Sequence, residues 1–268
     1  MTQPWIAALF ALFIWWFSTG VIMMAVRRAD RVDGHVALVI AGVPVLVIGV
    51  ALVSASLQAQ TIVGVYQGFL GALAIWGWIE LAFLAGVLTG PRRVGAMSGE
   101  LGWPRFVNAV SALAYHEVLL LVAAIGLSVV SDGALNQIAI ATFLILFLAR
   151  VCAKLNLFFG VPRINLEFIP ARLTHLKTFF KQGPVTLAFP IAITVLTAVL
   201  AVCAERLWTA QTDVSQIGFA LLTALAALAL LEHWLMVIPL PDAKLWRWML
   251  PAPRQDDFGR KTDRHHGL

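Results

Sequence analysis

Charge is scarce in this sequence. Asp, Glu, Lys and Arg make up 12% of its 268 residues, and hydrophobic residues make up 60%, whereas soluble domains average about 25% charged residues. This composition excludes a water-soluble enzyme. It also excludes a nucleic-acid-binding protein, because no soluble basic domain is present. Cysteine is rare too: Cys152 and Cys203 lie near opposite ends of two predicted spans, so we expect neither a disulfide nor a cysteine metal site.

The short alternating strands of a membrane β-barrel are also missing. Long apolar runs take their place, and a bilayer leaves such runs no way to pair their backbone polar groups except as helices. Seven runs approach the roughly 20 residues that a span needs, which predicts an all-α polytopic bundle with seven transmembrane helices. They cover approximately residues 5–26, 36–57, 63–88, 106–130, 137–153, 185–204 and 215–238. The first is predicted to be a retained span, since no basic residue precedes it as in a signal peptide.

Basic residues are distributed unevenly between the predicted connections. Of the 19, 18 fall on one side, and Arg206 alone falls on the other. The positive-inside rule then predicts a periplasmic N-terminus and a cytoplasmic C-terminus. With no repeat or linker in view, we expect one domain over residues 1–268, with a cytoplasmic connection at 154–183 and a cytoplasmic tail at 239–268.

The cytoplasmic connection contains an apolar pattern. In "PARLTHLKTFF", which starts at Pro170, the side chains of Leu173, Leu176, Phe179 and Phe180 fall on one side of a helix, away from the basic residues. Proline suits the first turn of a helix. The pattern predicts an interfacial amphipathic helix at the cytoplasmic membrane surface.

Three of the predicted spans contain five candidate site residues, all of them ionisable, and such groups are rare inside a span and functional by default. They are Glu80, His116, Glu117, Glu232 and His233. At about 1.5 Å per residue, Glu80, His116 and Glu232 lie roughly 12, 15 and 9 Å from the cytoplasmic ends of their helices. Such similar depths predict one shared site in the cytoplasmic half of the bundle, with His116 and Glu117 as its principal residues.

Several chemistries fit these residue types. Histidine and carboxylates ligate iron, manganese or zinc, and a histidine alone can ligate the magnesium of a chlorophyll or the iron of a haem. However, adjacent helical residues point about 100° apart, and the Glu-x-x-His spacing of di-iron bundles is absent, so the metal signal from His116, Glu117 and Glu80 is weak. A proton relay, a polar binding pocket or a hydrogen-bonded structural knot fits the same residues.

A resemblance adds what spacing does not. "AYHEVLLL" in the fourth span, "LNLFFGVPRINLEFIPARLTHLKTFF" in the connection and the seven-span plan are together similar to the PuhE family, photosynthetic complex assembly protein 2 of purple phototrophic bacteria. The resemblance covers nearly the whole chain. It implies residence in the bacterial inner (intracytoplasmic) membrane and a role in assembling the photosynthetic complexes and modulating bacteriochlorophyll production. It assigns no catalytic or ligand residue.

Two functions therefore stand as hypotheses. The first is a non-enzymatic factor that handles pigment or a pigment-synthesis complex. Its partners would be reaction-centre or light-harvesting subunits or pigment-synthesis enzymes, and deep tryptophans and His116 would suit bacteriochlorophyll or a precursor. The alternative is a membrane metalloenzyme that acts on a lipid-soluble pigment precursor, with iron held by the five ionisable residues. A transporter ranks third, because the paired broken helices of transporters are not evident.

Overall fold

The computed structural model describes residues 3–97 and 99–239. Within these residues the chain is helical and contains no named β-strand. The eight α-helices are α1 Pro4–Val32, α2 His35–Ala41, α3 Val43–Ser56, α4 Ile62–Leu84, α5 Gly102–Val130, α6 Ile138–Phe159, α7 Ala188–Thr209 and α8 Asp213–Leu235. Two 3₁₀ segments, Leu166–Phe168 and Ala171–Phe179, lie between α6 and α7.

The prediction of a seven-span helical bundle is confirmed. Seven helical stretches within the described residues are long and apolar enough to cross a bilayer, and α2 and α3 together form the second of them. The break inside that span falls at Gly42, and Pro44 lies in the first turn of α3. Proline has no backbone N–H and its ring crowds the preceding turn, so the helix restarts there.

Helix α4 lies at the centre of the bundle, where it contacts α1, α2, α3, α5, α6 and α8. Glycine allows α3 to approach it closely. A Cβ built on Gly71 would lie 2.8 Å from the carbonyl oxygen of Gly49 and 2.9 Å from the backbone nitrogen of Val53. Only a residue without a side chain fits between two backbones at that distance.

Helix α6 is longer than predicted. The sequence prediction ends the fifth span at residue 153 and begins the connection at 154, whereas the helix continues to Phe159 and stops at Gly160, whose φ is 134°. The first six residues of the predicted connection are therefore helical, and the placement of the connection at 154–183 stays a prediction. The helix ends where glycine permits a backbone conformation that other residues avoid, and not where the first basic side chains occur.

The segment predicted as a surface amphipathic helix folds differently. Residues Ala171–Phe179 form a 3₁₀ helix, and Leu173, Leu176 and Phe179 are buried in a cluster with Phe83 of α4 and Ala112 of α5. A 3₁₀ helix has three residues per turn, which aligns positions three apart. The apolar residues therefore pack against the bundle and not into lipid.

Contacts join the ends of α1 and α8 to the segment between α6 and α7. We call this side of the molecule the basic end. Arg27 of α1 donates to the carbonyl of Glu167, Arg172 pairs with Asp33, and the backbone N–H of Arg163 donates to the carbonyl of Met236 after α8. The predicted tail at 239–268 lies outside the described residues except for Pro239. The predicted single domain over residues 1–268 stays an expectation.

Candidate functional site

A cavity of about 480 Å³ lies between α1, α4, α5, α6 and α8. Its walls are mostly apolar and include the deep tryptophans Trp15 and Trp76. Leu173, Leu176 and Phe179 of the 3₁₀ helix line it at the basic end. The volume lies within the range of about 300–1,000 Å³ that is usual for small-molecule sites.

The charged residues of the cavity come from three helices. Glu80 of α4, Arg150 and Lys154 of α6, and Glu232 of α8 all line it. Arg150 Nη2 donates to Glu80 Oε2 at 2.6 Å, and the side chain of Glu80 is 11% exposed. A charge-assisted hydrogen bond of this length holds α4 and α6 in register.

His116 lies beside this pair. Its side chain is fully buried, Nε2 is 3.6 Å from Glu80 Oε1, and its ring packs against Phe83 with the centroids 4.3 Å apart. Neither ring nitrogen has a hydrogen-bond partner. The backbone N–H of His116 donates to the carbonyl of Thr89, which ties the chain after α4 to α5.

Glu117, the residue after His116, contacts a different cation. Its carboxylate accepts a hydrogen bond from Lys154 Nζ, and the Lys154 ammonium lies 5.7 Å from the centroid of the Phe83 ring. The Arg150 guanidinium lies at the same distance from that ring. Removing the carboxylate of Glu117 would leave the Lys154 ammonium without its partner in an apolar environment, which is costly.

We call Glu80, His116, Glu117, Arg150 and Lys154 the charge cluster. Two carboxylates face two cations, and Phe83 packs against the imidazole and both cations. Three helices, α4, α5 and α6, contribute to it. Glu80 and His116 meet as their matched depths suggest, but the hydrogen bond of Glu80 goes to Arg150.

The remaining two predicted site residues are separated. Glu232 of α8 lines the cavity. His233 is buried, does not line the cavity, and donates from Nδ1 to the carbonyl of Ala229 in its own helix at 2.7 Å. Adjacent positions on a helix face different directions, so one member of this pair faces the cavity and the other faces the packing between helices.

The sequence does not single out Arg150 and Lys154 as site residues, because basic residues near the end of an apolar run first indicate topology. A signal for them was available. They stand four residues apart at the end of an apolar run, which places both on one face of any helix that continues past residue 153. Carboxylates placed inside predicted spans also require cations nearby.

The donor set offers little to a metal ion. No group of three His, Cys, Asp or Glu residues that could hold one occurs in the part of the chain that the structure describes. The carboxylates of Glu80 and Glu117 each bind a cationic side chain, whose charge would repel a metal. His116 does not line the cavity, so its role as a magnesium ligand of a pigment stays a prediction.

Comparison with known proteins gives two matches. The family model described as "Protein of unknown function (DUF3623)" matches residues 1–257. The chain is also 46% identical, over 254 residues, to an "Uncharacterized 30.4 kDa protein in puhA 5'region" of Rhodobacter capsulatus, an alignment that covers 94% of this chain and 93% of that protein. No solved structure matches.

Proposed function

We propose that this chain, which belongs to the DUF3623 family, is an integral membrane factor for assembly of the bacterial photosynthetic complexes. Its puhA-region relative and its cavity support this proposal. In this proposal it modulates bacteriochlorophyll production by handling a pigment or pigment precursor. It resides in the inner (intracytoplasmic) membrane with its basic end in the cytoplasm. The relative supports a photosynthesis-gene context, and the uneven distribution of basic residues supports the orientation.

The cavity is the observation that carries the proposal. It combines an extensive apolar lining with charged groups on α4, α6 and α8, which suits a largely apolar molecule with a polar end. Tryptophan side chains such as Trp15 and Trp76 offer flat apolar faces for a conjugated ring or an isoprenoid tail. The chemistry required of the chain is to bind, orient and shield such a molecule.

Filling the cavity tests the proposal. Ala153 lines the cavity on α6, and Ala153→Phe places a ring in the ligand space. Ala201 is exposed on α7, so Ala201→Phe adds the same group to the outside of the bundle and is the matched control. Each variant is expressed in a phototrophic host that lacks the native gene.

We expect both variants to accumulate to normal levels on immunoblots. The near-infrared absorbance of bacteriochlorophyll complexes should change with Ala153→Phe as it does in the deletion strain, and should be normal with Ala201→Phe. If Ala153→Phe protein fails to accumulate, Ala149→Leu, a smaller change in the same wall, replaces it. Normal pigment with a filled cavity would contradict the proposal.

A further inference from the structure

A second concave surface, which we call the Arg105 groove, lies at the basic end on the outside of the bundle. Its volume is about 440 Å³. The start of α5, the end of α6 and the chain after the 3₁₀ helix form it, and the residues that line it are Leu101, Gly102, Trp103, Arg105, Phe106, Phe158, Phe159 and Lys181. None of these residues lies in the charge cluster.

Arg105 is held in a defined position. Its Nη2 donates to the carbonyl of Phe179 at 2.7 Å, its Nη1 donates to the carbonyl of Phe158 at 3.5 Å, and its guanidinium lies 4.5 Å from the centroid of the Phe158 ring. A guanidinium has five N–H donors, so these two bonds leave others for a ligand. The arginine is therefore positioned in advance for an anion.

The charge of the groove is of one sign. Arg105 and Lys181 are the ionisable residues among the described residues that line it, and no carboxylate is among them. The large internal cavity differs, since acidic and basic side chains both line it. Two cations without a carboxylate beside them favour an anionic ligand.

The apolar part of the groove continues along α5. Trp103 and Phe106 line the groove, and Val107 and Val110, both exposed, follow at helical spacings that place all four on one face. This face runs from the basic end into the transmembrane part of the helix. It suits an extended hydrocarbon chain that begins beside the two cations.

We propose that the Arg105 groove binds an anionic glycerophospholipid of the surrounding bilayer. The lipid phosphate contacts Arg105 and Lys181, and one acyl chain lies along Trp103, Phe106, Val107 and Val110. A tryptophan at the level of the lipid head groups and basic side chains beside it match the usual interface of membrane proteins. The proposal does not depend on the function of the internal cavity.

Quenching of tryptophan fluorescence tests this site. The full chain is reconstituted into phosphatidylcholine vesicles that contain increasing fractions of phosphatidylglycerol with brominated acyl chains. The difference between the wild type and Trp103→Phe isolates the signal of Trp103. A parallel titration uses brominated phosphatidylcholine in place of brominated phosphatidylglycerol. We expect Trp103 to reach half-maximal quenching at a lower fraction of the brominated phosphatidylglycerol.

Charge variants then identify the site. Lys181→Glu should raise the fraction for half-maximal quenching by phosphatidylglycerol about five-fold or more, since each basic residue near an anionic surface contributes appreciably to lipid binding. Lys181→Gln, which removes one charge from an exposed side chain, should give a smaller shift in the same direction and replaces Lys181→Glu if that variant does not fold. Arg93→Glu, at an exposed position on the α4–α5 connection, is the matched control and should not shift the curve.

Two results would overturn the proposal. Equal quenching by the two brominated lipids would show that the groove does not select an anionic head group. An equal shift with Arg93→Glu would show that general surface charge, and not this groove, recruits the lipid.

Discussion

The helices of this bundle differ in how much of their surface other helices cover. The inner helices are α4, α6 and α8, and the outer ones include the α2–α3 span, α5 and α7. In the most apolar 18-residue window, 44% of residues are buried in α4, 39% in α6 and 50% in α8, against 17% in the α2–α3 span and 22% in each of α5 and α7. The α2–α3 span has the highest hydropathy of the seven and α4 has the lowest. Small and polar residues are tolerated where protein surrounds a helix, and apolar residues are needed where lipid does.

Helix α5 shows both conditions on one element. Ala112, His116, Leu120 and Ala124 are buried at intervals of four residues, whereas residues such as Val118, Leu121 and Ile125 are exposed. His116 lies on the inward face, and Glu117, about 100° further around the helix, meets Lys154 at the edge of that face. The adjacent residues His116 and Glu117 therefore contact different partners, since His116 lies beside Glu80 and Glu117 binds Lys154.

The largest difference between inner and outer helices should appear when an ion pair is broken. Glu80→Gln leaves Arg150 without its carboxylate inside the bundle and should lower the free energy of unfolding by roughly 3 kcal/mol. This is the lower end of the cost for buried pairs, because the Arg150 side chain is 32% exposed. Reversible unfolding in mixed detergent micelles measures it.

The matched control is Glu205→Gln on α7. Its pair with Arg206 is exposed on both sides, and exposed pairs contribute about 0–1 kcal/mol. The double variant Glu80→Leu with Arg150→Met should recover much of the stability, since no charge is then left unpaired. Equal losses for Glu80→Gln and Glu205→Gln would refute the distinction between the two environments.

A single methyl group sharpens the comparison further. Gly71→Ala on α4 would place Cβ 2.8 Å from the carbonyl oxygen of Gly49, so α3 and α4 must separate, at a cost of about 1–3 kcal/mol. Gly126→Ala on α5 has no atom within 4 Å of the new Cβ and should be neutral or stabilising by up to ~1 kcal/mol. The same unfolding assay compares the two. A loss at Gly126 as large as at Gly71 would contradict the assignment of the outer face.

The smallest effect should occur outside the membrane. A hydrogen bond from Arg172, together with its charge, lowers the pKa of Asp33 below the usual 3.8. The stability from this pair is therefore complete above pH 3.8 and is lost as the pH falls through the lower pKa of the folded protein. Asp33→Asn should lower the melting temperature slightly at pH 7, and the difference from the wild type should shrink below pH 3.8. A difference from the wild type that stays constant as the pH falls below 3.8 would contradict this pairing.

The sequence predicted the spans well but the site only in part. Hydropathy located seven spans, because lipid imposes one requirement on every residue that faces it. The carboxylates Glu80 and Glu117 stood out because charge is rare there. Arg150 and Lys154 did not, since basic residues near the end of an apolar run are taken as a sign that the span is ending, whereas backbone conformation at Gly160 ends the helix. The long 3₁₀ helix at Ala171–Phe179 was unexpected, because such runs are uncommon.

The sequence by itself determined that this protein is a helical membrane bundle, because apolar runs of this length have no other stable arrangement in lipid. Charge scarcity likewise identified which polar residues required an explanation. Only the tertiary structure decided the partners: that Glu80 binds Arg150, that Glu117 binds Lys154, and that Glu232 but not His233 faces the cavity. Pairing depends on how each helix is rotated about its axis and how far it slides along its neighbours. Close packing between helices, such as the approach of Gly71 to the backbone at Gly49, sets both quantities, and no pattern within a single helix records them.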